Sequence, residues 1–179
     1  MTAHPFAIIG CSMGGVLAIR YALLHPDPAM RIMCCDAPGL TSLESAKPLW
    51  RDRIAQFRAE GVERLAQTTV DRWFPDPVAP GVKAAALEQT RTCQLEGYRV
   101  CAEGITSYDY DGMLGDVRGK VVILRGENDS SVGPKSVLMD VARRVAGARY
   151  VELKDAGHIP PMHRPAEFEQ AVLHFLADV

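Results

Sequence analysis

Ser12 stands in Gly10-Cys11-Ser12-Met13-Gly14-Gly15, a run of the form G-x-S-x-G. A serine hydroxyl becomes a useful nucleophile only beside a base that removes its proton. The run supports such chemistry where a strand enters it and a helix leaves it. The serine then sits on a strained turn with its hydroxyl projecting, and small residues two positions to either side spare it a collision. Phe6-Ala7-Ile8-Ile9 reads as a short apolar strand before the motif, and Val16 to Leu24 as an apolar helix after it. The first turn of that helix aims its amides at the reacting centre, so the Met13 N–H is the expected oxyanion donor. Cys11 is a rival nucleophile by type. It occupies the variable position, whose side chain points away from the apex, and reads as a buried, inert thiol.

The hydroxyl needs an imidazole, and the imidazole needs a carboxylate to hold its tautomer. On a strand–turn–helix elbow these partners follow in chain order: serine, acid, histidine. His158 lies in Asp155-Ala156-Gly157-His158-Ile159-Pro160-Pro161, just beyond the strand-like Arg149-Tyr150-Val151-Glu152-Leu153. Loops leaving the C-terminal ends of parallel strands are where such sheets place their chemistry. His4 and His25 fall at a terminus and a helix end and read as solvated, and His174 reads as a surface or packing residue of the last helix. His163 is a second choice, near enough in sequence to share the rim of a site. For the acid, Asp129 follows the strand Lys120-Val121-Val122-Ile123-Leu124 on the loop Gly126-Glu127-Asn128-Asp129. Asp36 is its rival, because it follows the strand Arg31-Ile32-Met33-Cys34-Cys35; Glu127 is disfavoured by its place directly after the turn glycine. A solvated or helix-capping role is the plain alternative for both aspartates.

These residues require a frame of parallel strands. Strand, helix and strand over residues 6–35 make a βαβ unit with a right-handed crossover. Lys120–Leu124 and Arg149–Leu153 add two strands, separated by a helix that Pro134 opens in its favoured first-turn position and that runs to about Val145. A closing helix spans Pro165 to Leu176. Between about residues 42 and 116 the pattern is amphipathic and helical instead. Trp50, Ile54 and Phe57 fall at helical spacing, Gly61 interrupts the run, and Val62, Leu65, Thr69 and Trp73 form another stripe stopped by Pro75 and Pro77. A third stretch runs from Val82 towards Arg91 and a fourth surrounds Tyr98, Val100 and Ile105. The expected fold class is therefore α/β: four parallel strands with flanking helices in a single domain over 1–179, carrying a helical lid over about 42–116.

The bulk numbers set limits. The chain has 179 residues, 47% of them hydrophobic, with a net charge of −2, enough for one sizeable core and without the basic surplus that nucleic acid or an anionic membrane attracts. The five cysteines are odd in number and form no C-x-x-C pair. That argues against a disulfide framework or zinc site and for a reducing compartment. With no run of about 18 apolar residues and no basic region before an apolar stretch, a soluble cytoplasmic protein is expected.

The sequence resembles the α/β-hydrolase superfamily and, more narrowly, its 3-oxoadipate enol-lactonase branch. The narrower likeness rests on Ile9-Gly-Cys-Ser-Met-Gly-Gly15, Trp50-Arg-Asp-Arg-Ile-Ala-Gln-Phe-Arg-Ala-Glu-Gly61, Asp71-Arg-Trp-Phe74 and Glu96-Gly-Tyr98. Gly126-Glu-Asn-Asp129 and Ala156-Gly-His158 to Pro165 fit the superfamily broadly. The resemblance implies a Ser12, Asp129 and His158 triad that hydrolyses small carboxylic esters or lactones through an acyl-enzyme, without metal or organic cofactor. It further implies a carboxylated lactone as substrate. Trp50, Trp73 and Tyr98 are candidates to wall the pocket, with helix-packing core as their alternative. Members of the family have four further strands before the elbow strand and a His-Gly loop that supplies a second oxyanion amide. This chain opens at the elbow strand, so the expectation is the C-terminal half of the fold, a truncated form whose first strand exposes an apolar edge open to self-association. Two other readings stand beside hydrolysis: a catalytically impaired remnant that folds only by association, and a perhydrolase or carbon–carbon bond hydrolase of the same fold. Epoxide and haloalkane hydrolysis are disfavoured, because they place an aspartate where this chain has Ser12.

Overall fold

The computed structural model describes residues 6–38, 40, 44–132 and 134–177. Its frame is one sheet of four parallel strands: β1 (Ala7–Cys11), β2 (Arg31–Cys35), β3 (Lys120–Gly126) and β4 (Arg149–Leu153), in the spatial order β1-β2-β3-β4. The register aligns Cys11 with Cys35, Cys35 with Leu124 and Leu124 with Val151, so the C-terminal ends of the strands finish along one line. β2 and β3 occupy the centre and are buried almost throughout, which is why they read as continuous apolar runs.

Alternate residues serve opposite faces. Ile32, Cys34, Val121 and Ile123 pack with Val16 and Ile19 of α1 (Met13–Leu24) and with Leu138 and Val141 of α5 (Lys135–Arg144). Met33, Cys35, Val122 and Leu124 face the other way, against Phe175 and Val172 of α7 (Pro165–Ala177). This period of two is the pleat of a strand, and covering both faces makes three layers. β1 is an edge strand, and Ile9 on it is 41% exposed. Pro134 is the residue before α5 rather than its first helical residue, with an extended backbone at φ −68° and ψ 150°.

Between β2 and β3 the described residues hold helices and no strand. α2 (Lys47–Trp73) breaks at Gly61, whose φ of 81° and ψ of 177° suit a residue without a Cβ. α3 (Val82–Thr90) and α4 (Leu95–Ile105) pack on α2. Short 3-10 turns at Glu44–Ala46 and Asp111–Asp116 flank the block. The start of the expected lid at residues 42 and 43 lies outside the described residues. One further element, α6 (Pro160–His163), has no counterpart in the expectation drawn from sequence. No helix among the described residues is long and apolar enough to cross a membrane.

Candidate active site

β1 delivers Ser12 to the end of the sheet, where its N–H still bonds to the Cys35 carbonyl at 2.8 Å. Its backbone turns sharply, with φ 54° and ψ −124°, a conformation rare for a residue with a side chain. α1 begins at once with Met13, and its first turn carries no acidic side chain to neutralise the helix end. Crowding around the turn falls on Gly10 and Gly15. A Cβ at Gly10 would lie 2.1 Å from the Gly14 carbonyl oxygen, and one at Gly15 would lie 2.9 Å from Ala37 Cβ. At Gly14 a Cβ would have nothing within 4 Å, so the steric reason expected there acts one residue later.

Three side chains meet at the strand ends. Ser12 Oγ lies 2.9 Å from His158 Nε2, and His158 Nδ1 lies 2.9 Å from Asp129 Oδ2. Asp129 and His158 are buried, whereas Ser12 remains half-exposed to an adjoining cavity. Asp129 Oδ1 also accepts the Ser131 N–H at 2.6 Å. Burial acts to raise the Asp129 carboxyl, but the His158 contact, with Asp36 and the Ser131 amide, outweighs it and holds the group below the usual carboxylate range.

The loops that carry these groups are laced together by backbone. Glu127 N–H bonds to the Leu153 carbonyl, Asn128 N–H to that of Ala156, and His158 N–H to that of Trp73 at the end of α2. Gly126 and Gly157 permit this approach: a Cβ at Gly126 would meet the Gly157 oxygen at 2.2 Å, and one at Gly157 the Trp73 oxygen at 2.3 Å. Glu127, set aside as an acid, accepts the Asp155 N–H at 2.9 Å and so ties the two loops from the side. Arg125 closes the acid loop from beneath, donating to the carbonyls of Gly126, Glu127 and Asp129. The sequence reading assigns Arg125 no role.

Among the other histidines, His163 is not at the rim of the site. It is buried, accepts the Gly157 N–H at Nδ1 (2.7 Å) and bonds through Nε2 to the Pro77 carbonyl (3.0 Å), which latches the His158 loop to the helical block between β2 and β3. His174 is exposed and His25 packs its ring on Tyr21, while His4 lies outside the described residues. Cys11 bonds weakly to the His158 carbonyl; burial, then the charges of Asp36 and Asp129, push its thiol up to about 12, so no thiolate forms at neutral pH. Asp36 is neither solvated nor a helix cap. It is fully buried at the end of β2 with φ 43°, and its Oδ1 accepts the Gly126 N–H at 2.9 Å. Burial, then the charge and contact of Asp129, push its carboxyl up to about 9 against smaller pulls from Gly126 N–H and Arg125.

A cavity of about 90 Å³ opens over Ser12 and His158. Trp50, Trp73 and Tyr98 line it, the Trp73 ring standing 5.9 Å from the His158 ring. Two further lining residues, Arg53 and Arg72, were not singled out by the sequence pattern, where they read as the polar side of an amphipathic helix. The Arg53 guanidinium lies 4.8 Å over the Trp50 ring. Arg72 Nε is buried without a partner; burial and then the charge of Arg53 hold its guanidinium below the usual value. A larger depression of about 370 Å³ beside Lys47, Trp50 and Ala102 contains none of the three strand-end groups. Among the described residues no cluster of His, Cys, Asp and Glu is arranged to hold a metal ion.

Comparison with known proteins agrees with this architecture. The sequence model of the Alpha/beta hydrolase family matches residues 2–171. The chain is 23% identical over 169 residues to 3-oxoadipate enol-lactonase 2 of Acinetobacter baylyi, covering 91% of this chain and 60% of that protein. It is 25% identical over 164 residues to the pimeloyl-[acyl-carrier protein] methyl ester esterase of Neisseria meningitidis, covering 87% and 63% respectively. The crystal structure of the enol-lactonase from Burkholderia xenovorans LB400 superposes with a TM-score of 0.84 at 29% identity, covering 95% of this chain and 65% of that one. The chain thus spans a little under two thirds of the length of these relatives.

Proposed function

Since this chain belongs to the α/β hydrolase family, we propose that it carries the serine-dependent hydrolysis of small carboxylic esters or lactones, with Ser12 as nucleophile, His158 as base and Asp129 as orienting acid. The observation that carries this reading is the unbroken relay of two 2.9 Å contacts from Ser12 Oγ through His158 to Asp129.

Asp129 accepts from Nδ1 and so selects the tautomer whose Nε2 lone pair faces the Ser12 hydroxyl. As Oγ attacks the carbonyl carbon, its proton passes to Nε2. The imidazolium that forms is stabilised by the buried, anionic Asp129. The carbonyl oxygen takes up the displaced electron pair at the positive end of α1, with Met13 N–H as its donor. Collapse of this intermediate breaks the ester C–O bond, and Nε2–H returns the proton to the leaving oxygen. Water, activated by the same Nε2, then releases the acid and restores Ser12. The relay of Ser12, His158 and Asp129 supports this sequence of steps, and none of them calls for a metal or organic cofactor.

The lid side of the cavity favours a substrate with its own negative charge. Arg53 and Arg72 meet there without a carboxylate partner among the described residues, and two cations in a half-buried wall leave a place for one carboxylate. The aromatic faces of Trp50, Trp73 and Tyr98 fit the short apolar part of such a molecule. This agrees in kind with the carboxylated lactone implied by the enol-lactonase resemblance. Hydrolysis of p-nitrophenyl acetate by purified wild type and Ser12→Ala tests the reading: the variant should show only the background rate, and undiminished turnover in it would overturn the assignment of Ser12.

A further inference from the structure

The acid of the relay has a second carboxyl beside it. Asp36, at the end of β2, reaches across to the loop after β3 and contacts Asp129. Its Oδ1 is occupied by the Gly126 N–H. Its Oδ2 is buried, and no N–H or O–H from the described residues donates to it. Two carboxyl groups in hydrogen-bonding contact need one proton between them, because two bare carboxylates offer only acceptors. Asp129 is already committed as acceptor to His158 at one oxygen and to Ser131 at the other. The proton therefore belongs on Asp36.

We propose that Asp36 is a positioning residue for the relay: as a neutral carboxylic acid it donates a hydrogen bond to the Asp129 carboxylate and fixes it against His158. The proposal rests on the reading of Asp129 as the orienting acid. It gives Asp36 a role distinct from that of a substitute triad acid, which would have to be anionic.

The surroundings of Asp36 suit a neutral carboxyl. β1 contributes Cys11 and β2 contributes Cys34 and Cys35, three thiols that burial pushes upward and leaves uncharged. β4 contributes Tyr150, a phenol that burial and Glu152 also push upward. His158 stands on the far side of Asp129. Among the described residues Arg125 is the cation that acts on it, and its guanidinium is engaged by three backbone carbonyls and lies 3.7 Å from Glu152. Burial in this company favours retention of the proton well into the alkaline range, in keeping with a carboxyl pushed up to about 9. A hydrogen bond donated to a carboxylate favours its charged form, so Asp36 also helps keep Asp129 ionised.

Carbon-13 NMR of the chain labelled at aspartate carboxyls, titrated from pH 3 to 10, tests this without any need for turnover. Wild type should show one carboxyl that keeps its protonated shift at pH 7, titrates near 9 and is missing from Asp36→Asn. In Asp36→Ala, Asp129 should ionise at higher pH than in wild type. In Asp36→Asn, whose amide N–H can replace the lost O–H, it should stay near the wild-type value. A merely structural Asp36 would lower stability in both variants and move neither titration. Ionisation of Asp36 in the ordinary carboxylate range overturns the proposal, as does an Asp129 titration unchanged in Asp36→Ala. Should the alanine variant fail to fold, wild type and Asp36→Asn decide alone: a raised Asp129 titration in the asparagine variant overturns it. A chain that hydrolyses no ester yet shows these titrations would sink the proposed activity and leave this inference standing.

Discussion

The strand-end loops and the helical block between β2 and β3 are built on different physics. In the loops the groups that matter are buried and pinned by backbone: glycines let Gly126, Gly157 and Trp73 approach, and carbonyls or amides hold Asp36, Arg125 and His163. The helical block has only a small core of its own, around Val70, Phe74 and Ala86, and its ion pairs, such as Arg91 with Glu63, are exposed. Backbone-pinned geometry cannot change one residue at a time, whereas half-exposed side chains on α2 and α4 can. On the proposed reading, the chemistry lies where substitution is costly, and the choice of substrate where it is cheap.

The sharpest break in this division is at Asp129. Asp129→Asn should lower kcat by about four orders of magnitude, because the amide favours the wrong imidazole tautomer while leaving the fold in place; kinetics on a folded variant measures it. Next comes Gly10→Ala, whose methyl group would sit 2.1 Å from a backbone oxygen. Overpacking of that kind should cost about 3 kcal/mol in urea unfolding, and an unshifted midpoint would show that the elbow is less crowded than it looks.

A third effect depends on pH. The Asp36 carboxyl is pushed up to about 9 in the fold, against about 4 in an unfolded chain. Between those values the folded state holds a proton that the unfolded state has released, so stability should fall as pH rises through this window and level off above it. Asp36→Asn removes the dependence, and its melting temperature should gain at least about 5 °C on wild type between pH 5 and pH 9. The smallest effect is expected on the lid side. Arg72→Met should raise KM about tenfold for an ester bearing a free carboxylate and leave KM for a neutral ester nearly unchanged. An equal change for both would remove charge from the role of that wall.

Much of this was legible in the sequence, and the reasons differ by residue. Ser12 announces itself because strand, G-x-S-x-G and helix are adjacent in the chain. Asp129 and His158 can be proposed because each lies on the short loop just beyond a strand-like run. The Asp36 contact is invisible at that level, since its partner Gly126 stands 90 residues away and only the sheet register brings them together. His163 looked like a candidate base because a sequence reports its type and not its neighbours. Arg53 and Arg72 were missed for a related reason: arginines on the polar stripe of a helix look solvated until a neighbouring layer encloses them.

The most direct test of Ser12 as the reactive nucleophile is covalent capture by a fluorophosphonate probe, read by intact mass and peptide mapping. Wild type should gain one adduct, at Ser12, and Ser12→Ala should gain none. A wild-type chain that stays unmodified, or an adduct that persists in Ser12→Ala, would contradict it.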